Sequence, residues 1–177
     1  MTPEYALWSA QYIDKCPRAN TRKASCKSPE YAYLYAKEVD KCPREDTRKA
    51  ACVAPYFSYK YALEIDKGPV DITREIACKN AFFAYKYALN VDKKPREDTR
   101  ETACMDIDCA YRYARDVDQK PRKDTRKAAC KDPEYAYAYA KNVDKGFHED
   151  TWEVVKGTKY EEEYNRFINQ IEKDKII

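Results

Sequence analysis

The chain has 177 residues, enough for one domain or one continuous array, and its 34 Lys plus Arg nearly cancel 31 Asp plus Glu to leave a net charge of +3. That balance neither demands nor excludes nucleic acid. Three glycines among abundant Ala, Lys, Glu, Arg and Tyr favour helix over sheet, and no apolar run approaches the roughly 20 residues that cross a bilayer.

The elements then repeat. Asp14, Asp40, Asp66, Asp92, Asp118 and Asp144 recur every 26 residues, as do Thr21, Thr47, Thr73, Thr99, Thr125 and Thr151. A fixed period of about 20–50 residues marks stacked supersecondary units, each burying its apolar face on its neighbours. Units start near residues 2, 28, 54, 80, 106 and 132. The first begins at Thr2-Pro3-Glu4, so no signal peptide is expected before it. The repeat array is predicted over 2–157 and a capping helix over 158–177.

Each unit is predicted to hold two helices. In the second unit Ser28 suits the N-cap, Pro29 the first helical position and Glu30 the positive helix end. Thr2 and Asp132 repeat this start, whereas Asn80 and Asp106 keep only the cap. The first helix is expected to run to about Lys41, where Cys42-Pro43 interrupts it. A shorter second helix is expected from about Pro43 to Cys52.

On the first helix Tyr31, Ala32, Tyr35, Ala36 and Val39 form one apolar stripe. On the second, Thr47, Ala50 and Ala51 form a stripe of small residues. Asp40 falls at the edge of the buried arc, and Arg48 recurs as Arg22, Arg74, Arg100 and Arg126. Such a pair suggests a bidentate bridge tying helix to helix or repeat to repeat; a ladder of binding carboxylates is the alternative. The last unit departs from the pattern with Phe147, His148, Trp152 and Lys156. After it, Tyr160, Tyr164, Phe167, Ile168 and Ile171 describe an amphipathic cap, with Trp152 and Phe147 expected beneath.

Eight cysteines raise the question of disulfides. Equivalent positions in stacked helices lie about 8–10 Å apart, beyond the roughly 7 Å limit for a bridge. Buried reduced thiols are therefore the expectation, with Cys104 and Cys109 left as the one pair that could close. No CxxC motif occurs, so no zinc is expected.

Catalysis needs unlike groups converging in a pocket, whereas these carboxylates recur once per unit along an axis. His148 is the sole histidine, in a divergent repeat, and no GxGxxG, P-loop, HExxH or EF-hand loop occurs. No enzyme activity, catalytic residue, metal or cofactor is expected, and no small-molecule substrate or membrane partner.

Two partner classes remain. One outward column of the first helix reads Trp8, Leu34, Lys60, Lys86, Arg112, Ala138, and its neighbour reads Gln11, Lys37, Leu63, Leu89, Arg115, Lys141. Variation against a fixed core, with added apolar residues, is what protein recognition leaves. The candidate protein-binding residues are Trp8, Leu34, Lys60, Leu63, Lys86, Leu89, Arg112 and Arg115. The alternative is nucleic acid on a basic stripe of Lys41, Arg44, Lys93, Arg96 and Arg122. Aromatic stacking on bases fits less well, because Tyr35, Tyr61, Tyr87, Tyr113 and Tyr139 fall in the buried stripe. Self-association through the array ends is a third expectation.

The units SPEYAYLYAKEVDK and DPEYAYAYAKNVDK resemble the Asp-Pro-x-x-Ala-Tyr-x-Tyr-Ala repeats of tailed bacteriophages and large DNA viruses. Those relatives often carry a Gly-Arg-Trp-Pro-like turn, where this chain has Cys42-Pro43-Arg44. The resemblance covers nearly all of residues 2–157 and implies a viral helical-repeat protein, but no common activity. A phage or viral origin would suit a factor that blocks a host protein used in defence. The expectation is thus an all-α solenoid, right- or left-handed, of about six αα-hairpin repeats with a C-terminal capping helix. It would act as a non-catalytic scaffold for a protein partner in the cytoplasm, that of the host if phage-encoded.

Overall fold

The computed structural model describes residues 1–174. Every regular element among them is helical, and the chain packs as two compact units, Met1–Asp92 and Lys93–Ile177. Each unit is a stack of repeats of an all-α solenoid. The division falls within the fourth repeat. Of the predicted cap over 158–177, residues 175–177 lie outside the described residues.

The first unit contains α1 (Pro3–Trp8), α2 (Ala19–Ser25), α3 (Pro29–Tyr35), α4 (Glu45–Ala51), α5 (Pro55–Tyr61), α6 (Asp71–Ala77) and α7 (Ala81–Tyr87). The second contains α8 (Glu97–Ala103), α9 (Ile107–Tyr113), α10 (Lys123–Ala129), α11 (Pro133–Tyr139), α12 (Glu149–Val155) and α13 (Glu161–Asp174). Every repeat-opening helix runs on into a wider, π-helical segment, such as Ala36–Asp40 after α3 and Ala114–Asp118 after α9. There the Lys41 N–H reaches back five residues to the Ala36 carbonyl at 2.9 Å.

Local chemistry sets these boundaries, with three departures from expectation. Thr2, Asn80, Asp106 and Asp132 accept backbone N–H bonds as N-caps, but Ser28 makes no side-chain cap bond. The short helices begin after the proline, at Glu45 rather than Pro43. The opening helices end at Asp40 and its equivalents, because the next residue turns left-handed: Lys15, Lys41, Lys67, Lys93, Gln119 and Lys145 have φ of 52–55°. A side chain in that region costs about 1–2 kcal/mol, so these lysines are turn residues as well as dipole partners.

One joint recurs between repeats. The Tyr35 hydroxyl, fully buried, accepts the Arg18 N–H at 3.0 Å and shares a hydrogen bond with Thr21 Oγ1 at 2.8 Å. Arg18 is the N-cap residue of α2 and has no side-chain cap bond. The tyrosine of one repeat therefore stitches the turn of the repeat before it. Tyr61 and Tyr87 do the same in the first unit, and Tyr113 and Tyr139 in the second. Over each ring lies the guanidinium of the preceding repeat, as with Arg22 at 5.7 Å from the Tyr35 centroid. Arg22 then forks onto Asp40 through Nε and Nη2, at 3.0 and 2.6 Å. Arg48 takes Asp66, Arg100 takes Asp118 and Arg126 takes Asp144, so the bridge runs from repeat to repeat. The Asp40 side chain is only 1% exposed. The π-helical segment rotates it inward from the edge position that a regular wheel assigns.

Candidate protein-binding face

Because the joints occupy one side of each opening helix, the opposite side carries the outward columns. In the first unit Trp8 is 47% exposed, its ring 5.7 Å from Tyr5 and 6.0 Å from Tyr12. Leu34 is half-buried against the core around Ala36 and Tyr61, and Leu63 against Ala62 and Tyr87. Leu89 and Lys60 are also half-buried. Lys60 pairs with Glu64, which further holds Lys37 at 2.8 Å and the Tyr33 hydroxyl at 2.6 Å. Burial pushes the Glu64 carboxyl up, but its bonds from Lys37, Lys60 and Tyr33 outweigh this and hold it down at about 2. Lys86 lies over the rings of Phe82 and Tyr85, at 5.5 and 5.3 Å.

In the second unit Arg112 pairs with Asp108 at 2.7 Å. Arg115 is exposed, pairs with Asp116 at 2.6 Å and covers the Tyr111 ring at 5.1 Å. Of the eight residues named from the sequence, Trp8 and Arg115 thus stand in the open. The other six are half-buried, Leu34, Lys60, Leu63, Lys86 and Leu89 in the first unit and Arg112 in the second.

A third column, four residues before the first and so on the same helix face, was not singled out. It reads Glu4, Glu30, Tyr56, Phe82, Asp108, Glu134. Tyr56 and Phe82 are 47% and 44% exposed. Their rings join through Phe83, which lies 5.8 Å from Tyr56 and 5.3 Å from Phe82. The switch from acid to aromatic in two consecutive repeats was the readable signal.

The basic stripe lies elsewhere, on the turns between helices. Lys41 and Lys93 are exposed there. Each arginine of the stripe stands beside an acid: Arg44 by Asp46 at 3.7 Å, Arg96 by Asp98 and Arg122 by Asp124 at 3.4 Å. Those carboxylates reduce the positive potential that a phosphate backbone requires.

His148 Nδ1 accepts the Asp150 N–H at 3.2 Å as the N-cap of α12. All eight cysteines are free thiols, Cys104 and Cys109 included. Burial pushes Cys104 up to about 11 and, with the Asp106 hydrogen bond adding to it, Cys109 up to about 12. Among the described residues no group of three or more His, Cys, Asp or Glu could hold a metal ion, and no helix is long and apolar enough to cross a membrane. The chain matches no family model, and neither curated proteins nor solved structures give a match.

Proposed function

We propose that this protein is a non-catalytic helical-repeat scaffold that binds another protein through the outer face of its repeat-opening helices. One observation carries the reading: the recurring tyrosines, threonines, arginines and aspartates are engaged in joints, while the outward columns change from acid to aromatic to lysine. Joints of this kind hold the face in place before binding, which reduces the ordering cost of association. Trp8, Tyr56 and Phe82 supply exposed aromatic area of the type that anchors interfaces. The viral resemblance points to a host protein as the partner, with the scaffold blocking it.

Affinity capture from the host cell, read by mass spectrometry, tests this. Wild-type chain should retain one partner that Trp8→Glu/Lys86→Glu or Arg112→Glu/Arg115→Glu loses at least about tenfold, with thermal melts unchanged. Full-strength capture by both variants would remove this face from the function.

A further inference from the structure

We infer that the third and fourth repeats anchor that face, and that their occupant is an acidic segment of the partner protein carrying a bulky apolar side chain. The inference rests on the protein-binding reading and gives it a chemistry. At the third column four repeats carry the acids Glu4, Glu30, Asp108 and Glu134 in the first turn of a helix, where the dipole favours them. The two between them carry Tyr56 and Phe82, which leave nearly half their surface in water while helix-end electrostatics favour an acid.

The rings form a continuous ridge. Tyr56 meets Phe57 at 5.0 Å and Phe83 at 5.8 Å, and Phe82 meets Phe83 at 5.3 Å. Losing two acids also leaves the local charge positive. Lys60 is answered by Glu64. Lys86 rests on Phe82 and Tyr85 with no carboxylate in ion-pair range among the described residues. An apolar ridge beside an unanswered ammonium complements a carboxylate one or two residues from an apolar side chain.

Ring geometry favours a peptide over a nucleic-acid strand. Base stacking needs open aromatic faces. The Lys86 ammonium covers a face of Phe82, and Tyr56 stands at 72° and 66° to Phe57 and Phe83 in edge contacts. Aliphatic or aromatic side chains pack against such an edge-to-face array. Beside the ridge, the single Lys86 ammonium also offers little to a row of phosphates.

The test is fluorescence anisotropy with the full chain and four labelled probes. They are a Glu-rich peptide with a central Trp-Leu, the same peptide with Ser for Trp and Leu, the same with Lys for Glu, and an oligothymidylate. The first should bind at least about tenfold tighter than the other three. Tyr56→Glu/Phe82→Asp should lose at least about tenfold of that binding. These substitutions install residue types that Glu30 and Asp108 already hold at the same place, so an unchanged melt separates lost docking from lost folding. Lys86→Gln should weaken the acidic peptide and leave its sensitivity to the Trp-Leu pair.

Equal binding of the peptides, no binding of the first up to about 1 mM, or an unaffected Tyr56→Glu/Phe82→Asp variant would overturn the inference. Preference for oligothymidylate would overturn it together with the protein-binding reading. If Tyr56→Glu/Phe82→Asp still captures a host protein that Arg112→Glu/Arg115→Glu loses, the scaffold stands and this anchor falls. If wild-type chain captures nothing, the scaffold reading falls first.

Discussion

Two joints in the second unit solve one packing problem differently. Between α10 and α11 the Tyr139 hydroxyl takes the Arg122 N–H and Thr125, and Arg126 crosses its ring to Asp144. Between α12 and α13 the Tyr164 hydroxyl takes the His148 N–H at 3.3 Å and Thr151 at 2.9 Å. There Trp152 replaces the arginine, its ring 5.5 Å from Tyr164, with Phe147 at 6.4 Å. The hydroxyl stitch is common to both joints, and the ion pair is not. The stitch satisfies the backbone N–H of the turn residue in both, Arg122 in one and His148 in the other. The ion pair fills a place that apolar rings fill as well at the cap.

The largest effect should come from breaking the ion pair on one side only. Arg100 and the Asp118 side chain are 7% and 0% exposed. Asp118→Ala leaves a buried guanidinium unanswered, which should remove about 3–5 kcal/mol in urea unfolding. Arg100→Met/Asp118→Leu imitates the apolar solution of the cap and should recover most of that loss. A double variant no more stable than Asp118→Ala would mean that the two joints are not alternatives.

Removing the stitch should cost less. Tyr113→Phe deletes the hydroxyl that accepts the Arg96 N–H and contacts Thr99, at 3.0 and 2.8 Å. An orphaned buried donor costs about 1–3 kcal/mol. The same substitution at Tyr164 should destabilise by a similar amount despite the absent ion pair. A negligible effect at Tyr164 would show that the cap is held by Trp152 packing alone.

Much of this frame was legible in the sequence. The period gave the helix pairs, the wheel placed Tyr35 and its equivalents inside, and the recurring Arg and Asp announced their bridge. The π-helical segments were not legible, because a wheel drawn at a constant angle has no means of widening after Ala36. Nor were the left-handed turns, since that conformation is ordinarily signalled by Gly or Asn and here falls on Lys41 and its equivalents. At the candidate face the sequence offers two varied columns, with Trp8, Lys60 and Lys86 in the first. Tyr56 and Phe82 stand in a third column that those two do not include.

The smallest effect should come from the half-buried counterpart of these joints. Glu64 gathers Lys37, Lys60 and Tyr33 across two repeats, with its carboxyl held at about 2. An unfolded glutamate titrates near about 4.3, so the folded state favours the charged form. The stabilisation is fully present above that value and is lost as pH falls toward about 2. Melts of wild type and Glu64→Gln should therefore differ slightly at neutral pH and converge below about pH 4. The difference should also shrink with salt, as solvent screens the cluster. A constant gap from pH 7 to pH 2 would mean that Glu64 acts through its packing and not its charge. The surface contact would then resemble the apolar joint at the cap more than the ion-paired joints inside the stack.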